Sequence, residues 1–179
     1  MNLKSTPLAG LQIIESAQLR DARGYFTKCF HRDSFQAAGI AEDIAEIYYS
    51  MSHKGAVRAL HFQTPPHAHS KIIFCLQGKI FDAAVDLRRS SPTYGQHFTM
   101  EISGDNPRGL YIPAGFAHGF IAMTDDVLFM NATSHVWNGE SDGGIHWQSC
   151  GIQWPDIAPI VSDKDKNLPA FADYESPFA

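Results

Sequence analysis

The chain has 179 residues, 44% of them hydrophobic and 18% charged, enough to bury one sizeable core, so residues 1–179 read as a single domain. A net charge of −5 with no run of Lys or Arg excludes a protein that grips nucleic acid by neutralising phosphates. Cys29, Cys75 and Cys150 are odd in number and lack a C-x-x-C, which excludes a disulfide framework and a zinc-thiolate site.

No signal-like apolar run opens the chain and no stretch of about 18 apolar residues follows, so a cytoplasmic protein without a membrane partner is expected. In chain order, RDSFQAAG predicts a short helix with Asp33 or Ser34 as N-cap and Gly39 as stop. Val57, Leu60 and Phe62 alternate imperfectly with Arg58, His61 and Gln63 in a strand-like run, and Thr64-Pro65-Pro66 announces a loop carrying His67 and His69. KIIFCLQGKIFDAAVDLR alternates on both sides of Gln77-Gly78 and predicts a hairpin, with Lys71, Ile73 and Cys75 on one face of its first half. In its second half Asp82 stands mid-strand, where a carboxylate needs a reason. Short Ile-, Val-, Phe- and Tyr-rich segments between Gly, Pro, Asp and Asn continue as far as Trp154, the pattern of an antiparallel sandwich or barrel. From about residue 155 a Pro-rich, charged extension should lie over the barrel.

His67-Ala-His69 and PAGFAH, ending at His118, resemble the two halves of the cupin signature. The glutamate that metal-binding cupins place after the first pair is missing from SKIIFCLQG, so no metal and no other cofactor is expected. His61 alone could be a hydrogen-bonded core residue, Arg23 an ordinary turn residue, and Asp165, within SDKDK, part of a solvated charge cluster.

Taken together, DARGYF, RALHFQ, FDAAVDLRRSSPTYG, IPAGFAHGF and VSDKD, in this order, resemble the dTDP-4-dehydrorhamnose 3,5-epimerase family over about residues 21 to 169. The resemblance implies an all-β fold, a double-stranded β-helix or cupin-like jelly-roll barrel with short peripheral helices, and a homodimer. It implies epimerisation of a nucleotide-linked 4-keto-6-deoxyhexose by deprotonation beside the C4 ketone and reprotonation from the opposite face. On this pattern His61 is the base, Asp165 its carboxylate partner and Lys71 the cation near the C4 oxygen. Asp82, His118 and Gln63 line the substrate pocket, and Arg23 and Arg58 hold the diphosphate.

The chain departs from the pattern at several positions. Asn131 stands in place of the tyrosine that serves the family as acid, Lys28, Glu46 and Tyr48 stand where the family has glutamate, glutamine and asparagine around the nucleobase, and Trp137-Asn138-Gly139 replaces its Y-x-P. Asn cannot exchange a proton near neutral pH. Solvent exchange should therefore outpace inversion, with water or His135 as the remaining donor. The alternatives are a single-carbon epimerase or ketoisomerase on a related nucleotide sugar, a sugar-nucleotide binding protein without turnover, and a metal-dependent cupin.

Overall fold

The computed structural model describes residues 1–41 and 43–179. In chain order they form β1 (Asn2–Ser5), β2 (Gln12–Glu15), β3 (Gln18–Asp21), β4 (Gly24–Thr27), α1 (Arg32–Ala37), β5 (Glu46–Ser52), β6 (Ala56–Gln63), β7 (Lys71–Gln77) and β8 (Lys79–Asp86). There follow β9 (His97–Ser103), β10 (Arg108–Ile112), β11 (Phe116–Ala122), β12 (Val127–Thr133), β13 (Asp142–Gly144), β14 (Ile160–Val161) and α2 (Asp163–Lys166). Two sheets face each other as a cupin-like barrel. One runs β1-β2-β10-β7-β12-β5 and the other β13-β6-β11-β8-β9, with β14 added parallel to β6, while β3 and β4 form a separate ribbon.

Side-chain alternation decides what each strand buries. On β7, Ile73 and Cys75 pack with Ile80, Leu110, Phe120 and Phe129 between the sheets, whereas Ile72 and Phe74 pack outside with Phe35 of α1 and Tyr111. On β8, Ile80 and Ala84 join the inner layer while Ala83 and Val85 meet Trp147, Ile152 and Phe178 outside. Each large side chain so buried contributes about 1.5–3 kcal/mol.

The expected alternation over residues 71–87 is present, but the expected hairpin is not. β7 pairs with β10 and β12, and β8 with β11 and β9, so Gln77-Gly78 turns the chain from one sheet into the other. Two alternating runs around a glycine look the same in a hairpin and at a sandwich corner; strands distant in sequence decide between them. Gly78 adopts φ +75°, and a Cβ there would lie 2.9 Å from Val127 Cγ2.

The helix in RDSFQAAG is capped two or three residues earlier than expected. His31 is its N-cap, with Nδ1 3.1 Å from Ser34 Oγ, and Gly39 follows its end at φ +81°. A helix absent from the sequence reading, α2, is capped by Ser162, whose Oγ accepts from Asp165 N at 3.1 Å. Beyond β13, Trp154, Tyr174 and Phe178 pack into the outer layer against β6, β8 and β11.

The SSPT loop hangs on fully buried Asp86. Its carboxylate accepts from Arg88 N, Nε and Nη2, Ser91 Oγ and Thr93 Oγ1 at 2.6–3.0 Å. Burial pushes this carboxyl up, but the donors outweigh it and hold it below the usual range. One motif of the family pattern is thus structural. Among the described residues no helix is long and apolar enough to cross a membrane.

Candidate active site

Arg58 and His61 are three residues apart, a spacing that sends side chains to opposite faces of a regular strand. Against β11, however, His61 stands opposite His118 and Arg58 opposite Phe120. Ala59 and Leu60 therefore share the single residue Gly119, and this bulge returns Arg58 and His61 to one face. Gly119 has no room for a side chain, since a Cβ would lie 2.2 Å from that of Ala59.

That face opens on a cavity of about 360 Å³ lined by Tyr48, Arg58, His61, Lys71, His118, Asn131 and Asp165, with Phe120 and Phe129 as apolar wall. His61 Nε2 lies 2.7 Å from Asp165 Oδ1. The C-terminal extension delivers that carboxylate, because β14 pairs with the start of β6 and α2 follows directly. Burial raises the Asp165 carboxyl, but the His61 bond and charge, the Ala59 N–H and Ser162 together bring it below its ordinary value. An anion can only accept, so His61 Nε2 carries the hydrogen and Nδ1 is the basic nitrogen.

Lys71 is buried at the start of β7 and donates from Nζ to the His61 carbonyl oxygen at 2.9 Å. Burial lowers its ammonium to about 8, against the pull of Asp142 and Asp82, so it remains a cation at neutral pH. His118 Nε2 meets Asp82 Oδ2 at 2.9 Å, which answers why a carboxylate stands in mid-strand. Burial holds His118 below its ordinary value despite Asp82. Across the barrel, Asn131 Nδ2 donates to Tyr48 Oη at 2.8 Å.

Other expected residues lie elsewhere. Gln63 is buried away from the cavity wall: its Nε2 donates to His67 O and His69 Nδ1, each at 2.9 Å, and its Oε1 accepts from Asn138 N at 2.5 Å. It ties two loops together instead of lining the pocket. Arg23, on the β3–β4 turn, has a side chain 89% exposed and pairs with Asp21. Lys28 borders a separate depression beside Phe26. His135 is exposed beyond β12.

His67 Nδ1 meets Ser141 Oγ at 2.9 Å, and burial, with Lys71 and His135, pushes His69 down to about 3. No group of three or more His, Cys, Asp or Glu among the described residues could hold a metal ion. The cavity adds Ser50 and Lys164, which the sequence reading misses; Lys164 sits in the charged SDKDK segment and pairs with Asp142.

The family model described as dTDP-4-dehydrorhamnose 3,5-epimerase matches residues 5–173. The chain is 38% identical over 176 residues to dTDP-4-dehydrorhamnose 3,5-epimerase of Shigella flexneri, covering 97% of each. The crystal structure of the enzyme of that name from Elizabethkingia anophelis NUHP1 superposes with a TM-score of 0.91 at 37% identity, covering 97% of both chains. For dTDP-6-deoxy-D-glucose-3,5-epimerase RmlC from Legionella pneumophila Philadelphia 1, in complex with dTDP-4-keto-L-rhamnose, the TM-score is 0.92 at 32% identity, covering 97% of this chain and 94% of that one. Matched along nearly its whole length, with the dyad, the buried lysine and the barrel all in place, the chain belongs to the dTDP-4-dehydrorhamnose 3,5-epimerase family.

Proposed function

We propose that the protein is an isomerase that epimerises a dTDP-linked 4-keto-6-deoxyhexose beside its ketone. The single observation that carries this reading is the 2.7 Å His61–Asp165 dyad, set in a cavity beside a buried ammonium. His61 Nδ1 takes the proton from the carbon beside C4, the electron pair moves onto the C4 oxygen, and Lys71 stabilises the enolate. A preorganised cation of this kind is worth about 10²–10³ in rate. Arg58, at the rim with Nε on Ser52 Oγ, faces the diphosphate.

Arg23 joins that diphosphate from a second copy. Support comes from the exposed apolar side chains of the β3–β4 ribbon, Leu19, Tyr25 and Phe26, and of edge strand β5, Ile47, Tyr49 and Met51. Pairing these surfaces in a homodimer buries both sets and brings the ribbon to a neighbouring cavity. Three free thiols suit a reducing cytoplasm.

Proton NMR of a dTDP-4-keto-6-deoxyhexose in D₂O tests the reading. Deuterium should enter beside the ketone, and His61→Ala should slow entry about 10²–10⁴-fold. Undiminished exchange in His61→Ala refutes it.

A further inference from the structure

An enolate made by His61 and reprotonated by His61 returns the starting configuration, so inversion needs an acid on the opposite wall. The ionisable groups around the cavity are unequally placed. His118 is the cross-strand neighbour of His61, its Nε2 on Asp82. Arg58 shares the strand and face of His61, and Asp165 and Lys164 arrive on α2 behind it. Lys71 belongs to the facing sheet, but its ammonium is on the His61 carbonyl.

Tyr48 is different. It stands in register with Asn131 on the β5–β12 pair, in the sheet that faces β6 across the cavity. Asn131 Nδ2 donates to the phenol oxygen at 2.8 Å, which leaves the phenol hydrogen for a ligand. Asn131 is only 3% exposed, and its Oδ1 is buried with no hydrogen-bond partner. A free amide acceptor beside a free phenol donor is a polar edge awaiting a hydroxylated ligand.

We infer that Tyr48 is the acid of the opposite face, delivering the proton to the enolate carbon, and that Asn131 positions it. The phenol that the family pattern puts at position 131 has exchanged strands with the asparagine of position 48. Because the two positions are direct cross-strand neighbours, the exchange keeps a phenol on the same wall. The absence of any tyrosine between Tyr111 and Tyr174 is thereby made good from 83 residues upstream.

The protons balance. The C–H pair becomes the enolate as His61 Nδ1 takes the proton, and the new C–H bond forms from the enolate pair as the Tyr48 O–H breaks. The phenolate regains a proton from water at the mouth, where Tyr48 is 44% exposed, and His61 loses its own to water. Burial, with Glu46 and Asp142, holds the phenol above its ordinary value against the Asn131 bond, so it is protonated when the enolate forms.

The assignment rests on the epimerase reading, and the test separates the two. Wild type, Tyr48→Phe, Tyr48→Asn and the double variant Tyr48→Asn/Asn131→Tyr are incubated with a dTDP-4-keto-6-deoxyhexose in D₂O, and exchange and inversion are followed together by proton NMR. In Tyr48→Phe and Tyr48→Asn, deuterium should still enter from the His61 side while net inversion falls about 10²–10⁴-fold. The double variant should regain inversion lost in Tyr48→Asn. A role confined to packing would lower exchange and inversion together and would not be rescued by moving the phenol. Tyr48→Phe that inverts as fast as wild type overturns the assignment, and a wild type that neither exchanges nor inverts overturns the epimerase reading with it.

Discussion

Asp165→Asn is a change of one atom that should disable the base while leaving the fold alone. In the native site Asp165 Oδ1 faces His61 Nε2 at 2.7 Å and Oδ2 faces the Ala59 N–H at 3.4 Å. An asparagine must satisfy the same two neighbours with one acceptor and one donor. The Ala59 N–H can use only the oxygen, so the NH₂ turns to His61 Nε2 and forces the ring hydrogen onto Nδ1. The lone pair that should take the substrate proton is then gone. The loss of the charge-assisted bond to the developing imidazolium, about 1.5–3 kcal/mol, adds to the wrong tautomer. Together they raise the barrier by about 3–5 kcal/mol, or roughly 10²–10⁴ in rate. The assay is the initial rate of deuterium entry for Asp165→Asn, His61→Ala and the double variant, with circular dichroism to confirm the fold. Groups that act as one unit give a double variant no slower than the worse single one. The reasoning fails if Asp165→Asn exchanges at the wild-type rate, or if the losses in the double variant simply multiply.

Arg58→Ala should weaken dTDP binding about 10- to 10²-fold by calorimetry with little change in the chemical step, as loss of one charge-assisted contact predicts. The Lys71 ammonium, at about 8, implies a rate that falls as pH rises through that value, because the neutral amine no longer stabilises the enolate. Lys71→Met should be slower by about 10²–10³ and lack this limb in its kcat/KM profile. Asp86→Ala strands Arg88, Ser91 and Thr93 and should cost about 3–5 kcal/mol, lowering Tm by roughly 6–20 °C in a thermal melt. The Asp86 carboxyl is held low, so its stabilisation is full above the unfolded value of about 3.9 and disappears as pH falls through the folded value. Asp86→Asn should accordingly flatten the acid limb of stability against pH.

The sequence by itself determined which side chains are candidates for the chemistry and which faces of the two strands around Gly78 are apolar. Alternation is a local property of extended backbone, so Ile73 and Cys75 could be assigned to the face opposite Ile72 and Phe74 without knowing their neighbours. Ordered motifs identified His61, Lys71, His118 and Asp165. Only the tertiary structure decided who meets whom. It turned the expected hairpin at Gly78 into a crossing between sheets, and it used a bulge against Gly119 to put Arg58 beside His61. It brought Asp165 to His61 across 104 residues and Tyr48 to Asn131 across 83, and it left Arg23 and Lys28 outside the cavity of the single chain. A strand's period is set by sterics within a few residues, whereas its partners are chosen by the apolar surface the assembled sheets can bury together, a quantity that no local segment contains.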